Sequence, residues 1–475
     1  MATKPSAKAG AAPAAKKHSE SSTSAPGSTA LLLEENHSLP LCRVQLTLRT
    51  GAASDLQPAA ALGLNGAGLP GLCNYATELQ RRGAGGKTRA QLDDAIDALG
   101  ASVHVTCWHD QVLFEATALR EHIDAASAIL ADVLLRPSFT QSESEKLRRE
   151  LDANLDDLRD DDGSLAGRFF ARALYGDHAY AVPVGGTKES IARYSVDLAR
   201  KWFGQYLVAG NLMFGVAGAL TADEAQDLIV RHFTGPGSGL APGPAHDPDF
   251  GANAASPSAA KKGRRLRVIL VDKPARTQSQ IYIGQLGPHW RDPQYLPLLV
   301  STTAFGGTFT ARLMDEVRVK RGLSYGASAR LGTGRGVRGL VSHVMPSAEQ
   351  TGETLELVLR LYREWAEGGL RPEEIDFSKG YLRKSHAFTI QTADDRLGLR
   401  TRLALCGMPE SYARDFPDRI AAISAKDVRG AMDAVLRPDE LVVTLVATAK
   451  TVLPQLKKIA ALKHADIEVV PFDSF

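Results

Sequence analysis

The sequence predicts an α+β protein of two homologous domains, each a mainly antiparallel sheet covered by helices. Three observations carry this expectation. A chain of 475 residues with 44% hydrophobic content is too long for one ordinary core and suits two domains of about 200 residues each. Residues 234–258, TGPGSGLAPGPAHDPDFGANAASPS, hold almost no large aliphatic side chain and have the composition of a linker. The two flanking segments repeat a pattern. Leu135-Arg136-Pro137 leads into the charged run SESEKLRREL, and Leu370-Arg371-Pro372 leads into EEIDFSKGYLRKS. Each run precedes the last strand-like segment of its half, NLMFGVA at 211–217 and ELVVTLVA at 440–447. A repeat this long is a duplicated domain, not a solenoid. The expected division is a disordered tail at 1–29, an N-terminal domain at 30–234, a linker at 235–262 and a C-terminal domain at 263–475.

The elements follow in order. Residues 1–29 are Ala, Lys, Pro and Ser rich with no apolar run, so they cannot bury a core. They also lack the apolar region of an intact signal peptide, which leaves periplasm and cytoplasm both open. Residues 44–49 read as a strand. Residues 71–80, GLCNYATELQ, read as a helix with Leu72, Tyr75, Ala76 and Leu79 on one face. Residues 88–99 form a second helix, opened by a Thr88/Gln91 capping box and stopped by Gly100. Residues 102–107 and 111–118 pair as a hairpin around His109-Asp110. Ile123, Ile129, Leu130 and Val133 mark a further helix, and Leu147, Leu151, Leu155 and Leu158 another. In the second half, 266–271 reads as a strand. Thr308 or Thr310 is expected to cap a helix with Leu313, Met314 and Val317 on its apolar face. Gly322 stops that helix, and 323–331 continues as a strand.

Composition excludes several function classes. Lys+Arg 56 against Asp+Glu 54 leaves a net charge of +2, so no charge excess points to nucleic acid or a membrane surface. No apolar run reaches the ~18–20 residues of a membrane span. Cys42, Cys73, Cys107 and Cys406 lie far apart with no C-x-x-C pair, and read as scattered buried thiols. The twelve histidines offer no ligand set: His104 and His109 sit across a hairpin without a carboxylate at ligand spacing.

Two constellations remain. Asn74 and Glu78 lie at i and i+4 on the polar side of the 71–80 helix. Two histidines at that spacing, in H-x-x-E-H, grip zinc while the Glu activates water. Here the three positions are Asn74, Thr77 and Glu78. In the second half, Arg318 stands near a helix end and Tyr325 near a strand start, and a short turn brings such side chains to one side.

The segment Phe305–Tyr325, FGGTFTARLMDEVRVKRGLSY, closely resembles the C-terminal signature of the pitrilysin/insulinase family of zinc peptidases. The Gly71-Leu72 pair matches the start of that family's G-L-x-H-x-x-E-H, and the GDHAY element around His178 is similar to its structural GDHP. The resemblance extends over residues ~30 to 470. It implies that the first metal histidine is replaced by Asn74, the general base by Thr77, the second histidine by Glu78 and the distal glutamate by Asn154. Such a donor set fits neither zinc nor, with so few oxygens, calcium or magnesium. The resemblance also implies that Arg318 and Tyr325, at the family's R-x(6)-Y spacing, bind substrate carbonyls and stabilise the tetrahedral intermediate. Some family members divide these parts between two chains, as mitochondrial processing peptidase and bacterial heterodimeric peptidases do. The short Gly306-Gly307 stretch, without a long glycine loop, favours the bacterial type. The expectation is therefore a non-catalytic subunit, inactive alone and without a cofactor of its own. It would pair with a paralogous zinc-bearing chain and enclose unfolded peptides. A structural core subunit, or a stand-alone peptide-binding module, stays open as an alternative. No nucleic-acid partner is expected.

Overall fold

The computed structural model describes residues 31–56, 62–63, 68–245 and 265–474. The expected tail, and the linker from residue 246 onward, lie outside the described residues.

The first half builds a five-stranded sheet from β1 (Leu31–Glu35), β2 (Leu41–Leu48), β3 (Ser102–Cys107), β4 (Val112–Leu119) and β5 (Leu212–Gly218). Their spatial order is β1-β5-β2-β4-β3. The pair β1/β5 is parallel and the other three pairs are antiparallel. The second half builds a sheet from β6 (Arg267–Asp272), β7 (Gln280–Leu286), β8 (Ser324–Leu331), β9 (Gly339–Pro346), β10 (Val442–Ala447) and β11 (Asp466–Pro471). Its order is β11-β6-β10-β7-β9-β8. Leaving out the edge strand β11, each strand takes the place of the one five earlier in the first sheet. The single parallel pair of the first half, β1/β5, recurs as β6/β10. The strand order thus carries the duplication that the repeated Arg-Pro helix starts announce.

The main helices are α1 (Leu72–Gln80), α2 (Arg89–Asp97), α3 (Ile123–Leu135), α4 (Gln141–Leu158), α5 (Asp162–Tyr175) and α6 (Val196–Tyr206) in the first half. The second half contributes α7 (Tyr295–Thr302), α8 (Thr351–Gly368), α9 (Pro372–Thr389) and α10 (Ala393–Leu405). Local chemistry starts them where the sequence indicates: Thr88 and Gln91 form the capping box of α2, and Pro372 occupies the first turn of α9. The core of each half lies between its sheet and its own helices. Val44, Leu46, Phe114, Leu130 and Leu147 belong to the first core, and Ile281, Leu298, Val344, Leu355 and Trp365 to the second.

The other face of each sheet is covered by a helix from the opposite half. Leu165, Phe169, Phe170 and Leu174 of α5 pack on Ile269, Val271, Val442 and Val446. In return Ala393, Leu397 and Leu405 of α10 pack on Leu32, Met213 and Ala217. Polar contacts follow the same exchange. Glu34 at the end of β1 pairs with Arg396 at 2.7 Å and Arg400 at 2.9 Å of α10. Lys273, just after β6, pairs with Asp162 of α5 at 2.5 Å. A third seam forms at the β3–β4 turn. Asp110 there accepts from the Tyr180 hydroxyl at 2.6 Å and pairs with Arg338 at 2.9 Å. The GDHAY element serves this seam, with His178 Nδ1 accepting from the Tyr180 backbone N–H at 3.1 Å.

Candidate functional site

Helix α1 is set by its N-terminus. Gly71 has φ 79°, and a Cβ there would stand 2.3 Å from the Tyr194 hydroxyl, so only glycine fits. The buried carboxylate of Asp55 accepts from the N–H groups of Gly71 at 2.8 Å and Cys73 at 3.0 Å, satisfying donors that the helix itself cannot. Burial pushes the Asp55 carboxyl well above its ordinary range. The apolar face, with Leu72, Tyr75, Ala76 and Leu79, is buried, while Asn74 and Glu78 are half-buried on the polar side.

The residues at the metal positions do not fit a metal. Thr77 is buried, and its hydroxyl donates back to the carbonyls of Cys73 at 2.9 Å and Asn74 at 3.1 Å, so it cannot stand in for a general base. Glu78 is the one carboxylate among the four positions; burial pushes its pKa up, against the pull of Arg82, Arg89 and Arg81. The carboxylates nearby are taken up by these arginines: Arg82 and Arg89 pair with Glu150, and Arg81 with Asp93. Asn154 is exposed on α4, and among the described residues no hydrogen bond ties it to α1. Glu150, one turn earlier, makes that contact. It accepts from Arg82 at 3.0 Å, and Glu143 lies 3.7 Å from the same guanidinium. Arg82, just past the end of α1, and Glu150 thus join the two helices. Among the described residues no three His, Cys, Asp or Glu side chains are grouped to hold a metal ion. The network was missed in the sequence reading, although Glu78 and Arg82 stand at i,i+4.

The second constellation comes together. Residues Arg312–Met314 form a short helical turn that continues as a π-helical turn over Asp315–Val319. The expected Thr308 or Thr310 cap is not made: the turn starts after Ala311 without a side-chain cap, and the Thr308 hydroxyl is buried without a partner. Gly322, with φ 63°, ends the turn, its N–H bonded to the Arg318 carbonyl at 3.0 Å. Strand β8 then opens on a bulge between Ser324 and Ala327 at the sheet edge. Bulges re-aim side chains, and here Tyr325 is 82% exposed. Ser324 locks the bulge by donating to the Gly326 carbonyl at 2.6 Å and accepting from the Met345 N–H at 2.9 Å.

Arg318 lies between two exposed rings. Its guanidinium carbon is 4.7 Å from the Tyr325 ring centre and 4.7 Å from that of Phe309, itself 64% exposed. Neighbouring cations are matched with carboxylates: Arg312 with Glu374 at 2.7 Å, Lys320 with Asp315 at 2.8 Å, and Arg321 with Glu316. Arg318 and the Tyr325 hydroxyl make no ion pair or hydrogen bond to any described residue. A half-buried, stacked guanidinium beside an exposed phenol forms a donor pair suited to carbonyl or oxyanion oxygens. Phe309 was not singled out in the sequence, because its stacking follows from the bulge and the π turn.

Fold and site together define a metallopeptidase-type scaffold in which no metal-ligand group is found among the described residues. The chain belongs to the insulinase family, peptidase family M16. The family profile described as "Insulinase (Peptidase family M16)" matches residues 31–188, and the one described as "Peptidase M16 inactive domain" matches residues 193–382. The chain is similar to a non-peptidase homologue, YmxG, of Helicobacter pylori, at 22% identity over 88% of this chain and 92% of that protein. It is also similar to an uncharacterised zinc protease of Streptomyces coelicolor, at 25% identity over 78% of this chain and 79% of the relative. In fold it resembles the crystal structure of a peptidase M16 inactive domain from Pseudomonas fluorescens. The TM-score there is 0.78 at 22% identity, covering 90% of this chain and 97% of that one. No helix among the described residues is long and apolar enough to cross a membrane.

Proposed function

We propose that this chain is the non-catalytic subunit of a two-chain zinc metallopeptidase, and that Arg318 and Tyr325 complete the active site of a zinc-bearing paralogue. The observation that carries the reading is the Arg318–Tyr325 stack. The cation and the phenol are held 4.7 Å apart from ring centre to guanidinium carbon, and neither makes an ion pair or hydrogen bond to a described residue. In the closed complex Arg318 would hold substrate backbone carbonyls with its planar fork. The Tyr325 hydroxyl would donate to the oxygen that gains charge as the peptide carbonyl is attacked. The metal is expected in the partner, and the Asn74/Thr77/Glu78/Asn154 set supplies no ligand field in this chain.

The test is to mix the chain with a paralogue that carries intact H-x-x-E-H. Hydrolysis of an unfolded peptide should appear on mixing, and neither chain alone should suffice. A paralogue fully active as a homodimer and indifferent to this chain would sink the proposal. The exposed Phe309–Arg318–Tyr325 stack also supports a second reading, a stand-alone peptide-binding module. That reading expects peptide affinity in the isolated chain and no gain of activity with any partner.

A further inference from the structure

The four cysteines stand far apart in the sequence, but the fold places two of them together. Cys73 in the first turn of α1 and Cys107 at the end of β3 have sulfurs 3.3 Å apart. They stand 34 positions apart in sequence. They are unequal. Cys73 is fully buried, with its backbone N–H on Asp55, whereas Cys107 is part-exposed, its sulfur 3.6 Å from the Trp108 carbonyl. Burial pushes the Cys73 thiol well above its ordinary value, so Cys107 is the thiol that meets reagents first. Cys42 and Cys406 are buried elsewhere, Cys42 in β2 and Cys406 against α10.

We propose that Cys73 and Cys107 form a reversible dithiol/disulfide pair, oxidised by exchange with a low-molecular-weight disulfide. In the first step the Cys107 thiolate attacks one sulfur of the small disulfide. A mixed disulfide forms and one small thiolate leaves. In the second step the Cys73 sulfur attacks the Cys107 sulfur, and its proton passes to the small thiolate being displaced. The protein disulfide forms and the second small thiol leaves. The two electrons released by the cysteine pair reduce the small disulfide to two thiols. The product ties α1 to the strand that feeds the Trp108-His109-Asp110 turn. That turn also holds the second half through Asp110 and Arg338. The oxidised form would therefore fasten the helix carrying Asn74 and Glu78 to the seam between the halves. The reaction needs this chain alone and no second subunit.

The experiment incubates the full chain with oxidised glutathione, quenches with acid, and counts thiols and mass after denaturation. The wild type should lose two of its four thiols and two hydrogens of mass, with Cys73 and Cys107 joined in the peptide map. Reduced glutathione in excess should restore all four. Cys73→Ala should stop at one glutathione on Cys107, and Cys107→Ala should leave Cys73 unmodified. If either variant fails to fold, the wild-type peptide map decides alone. Wild-type protein that keeps four thiols, halts at the mixed disulfide, or forms a bond involving Cys42 or Cys406 would overturn the proposal.

Discussion

Arg318 and Tyr325 are held by backbone devices rather than by side-chain partners. A π turn carries one and a strand bulge the other. Their removal should therefore leave the fold intact. Tyr325→Phe, Arg318→Ala and Arg318→Lys should each melt within about 2 °C of the wild type, as surface changes do. A large loss of melting temperature in any of them would assign the pair to packing. In the reconstituted complex Arg318→Ala should raise KM as well as lower kcat, since a guanidinium binds ground-state carbonyls and stacks on Tyr325. Arg318→Lys should not rescue it, because the planar fork is lost. At the opposite constellation, metal analysis of tag-free protein should find no stoichiometric zinc. The cause is the donor set: Asn74, Thr77 and Asn154 are neutral, and Glu78 lies near Arg82, Arg89 and Arg81. One tightly bound zinc per chain would refute this.

Helices and strands show how much of the molecule is written locally. The Thr88/Gln91 box, the hairpin around His109-Asp110 and the Pro372 start of α9 depend on near neighbours, and each is found where the sequence puts it, whereas α4 starts past Arg136-Pro137 at a Thr140 cap. The apolar face of α1 was equally legible, because Leu72, Tyr75, Ala76 and Leu79 follow helical spacing. Asp55 was not, since its role as the cap of α1 spans a loop and lacks a capping-box pattern. The β8 bulge, the π turn and the Cys73–Cys107 approach arise from tertiary packing, which no local period encodes. Thr308 illustrates the converse: its type suits a cap, yet packing buries its hydroxyl without a partner. Asp55 provides a pH test. Its folded-state pKa is raised above the ordinary 3.8, so the native state keeps a proton that the unfolded chain has released. Its contribution to stability is present below pH ~4 and is lost as pH rises through the folded value. Asp55→Asn removes that slope while adding a pH-independent offset from the lost acceptor. The difference in melting temperature should thus move in favour of the variant as pH rises from about 4. A difference that stays constant with pH would show that Asp55 does not titrate in this way.

On the scale of the whole molecule, the exchange of α5 and α10 makes each half depend on the other. Each large apolar side chain of α5 left uncovered would forgo roughly 1.5–3 kcal/mol, and Leu165, Phe169, Phe170 and Leu174 all lie against the opposite sheet. Residues 1–245 and 246–475 produced as separate chains should not melt cooperatively by themselves, and should form a one-to-one complex when co-expressed. Two independently folding monomers would contradict the exchange. The same rigid pairing of halves fixes the Arg318/Tyr325 edge relative to the α1 face, which a partner chain would need in order to build one chamber. The most direct test of the central claim is a titration of a fixed amount of zinc-bearing paralogue with this chain, reading the initial rate of peptide hydrolysis. The rate should rise from near zero and saturate at one equivalent. The Tyr325→Phe chain should saturate at the same equivalence with kcat lower by about 10²–10³. A rate independent of added chain, or a Tyr325→Phe complex as fast as the wild type, would contradict the account.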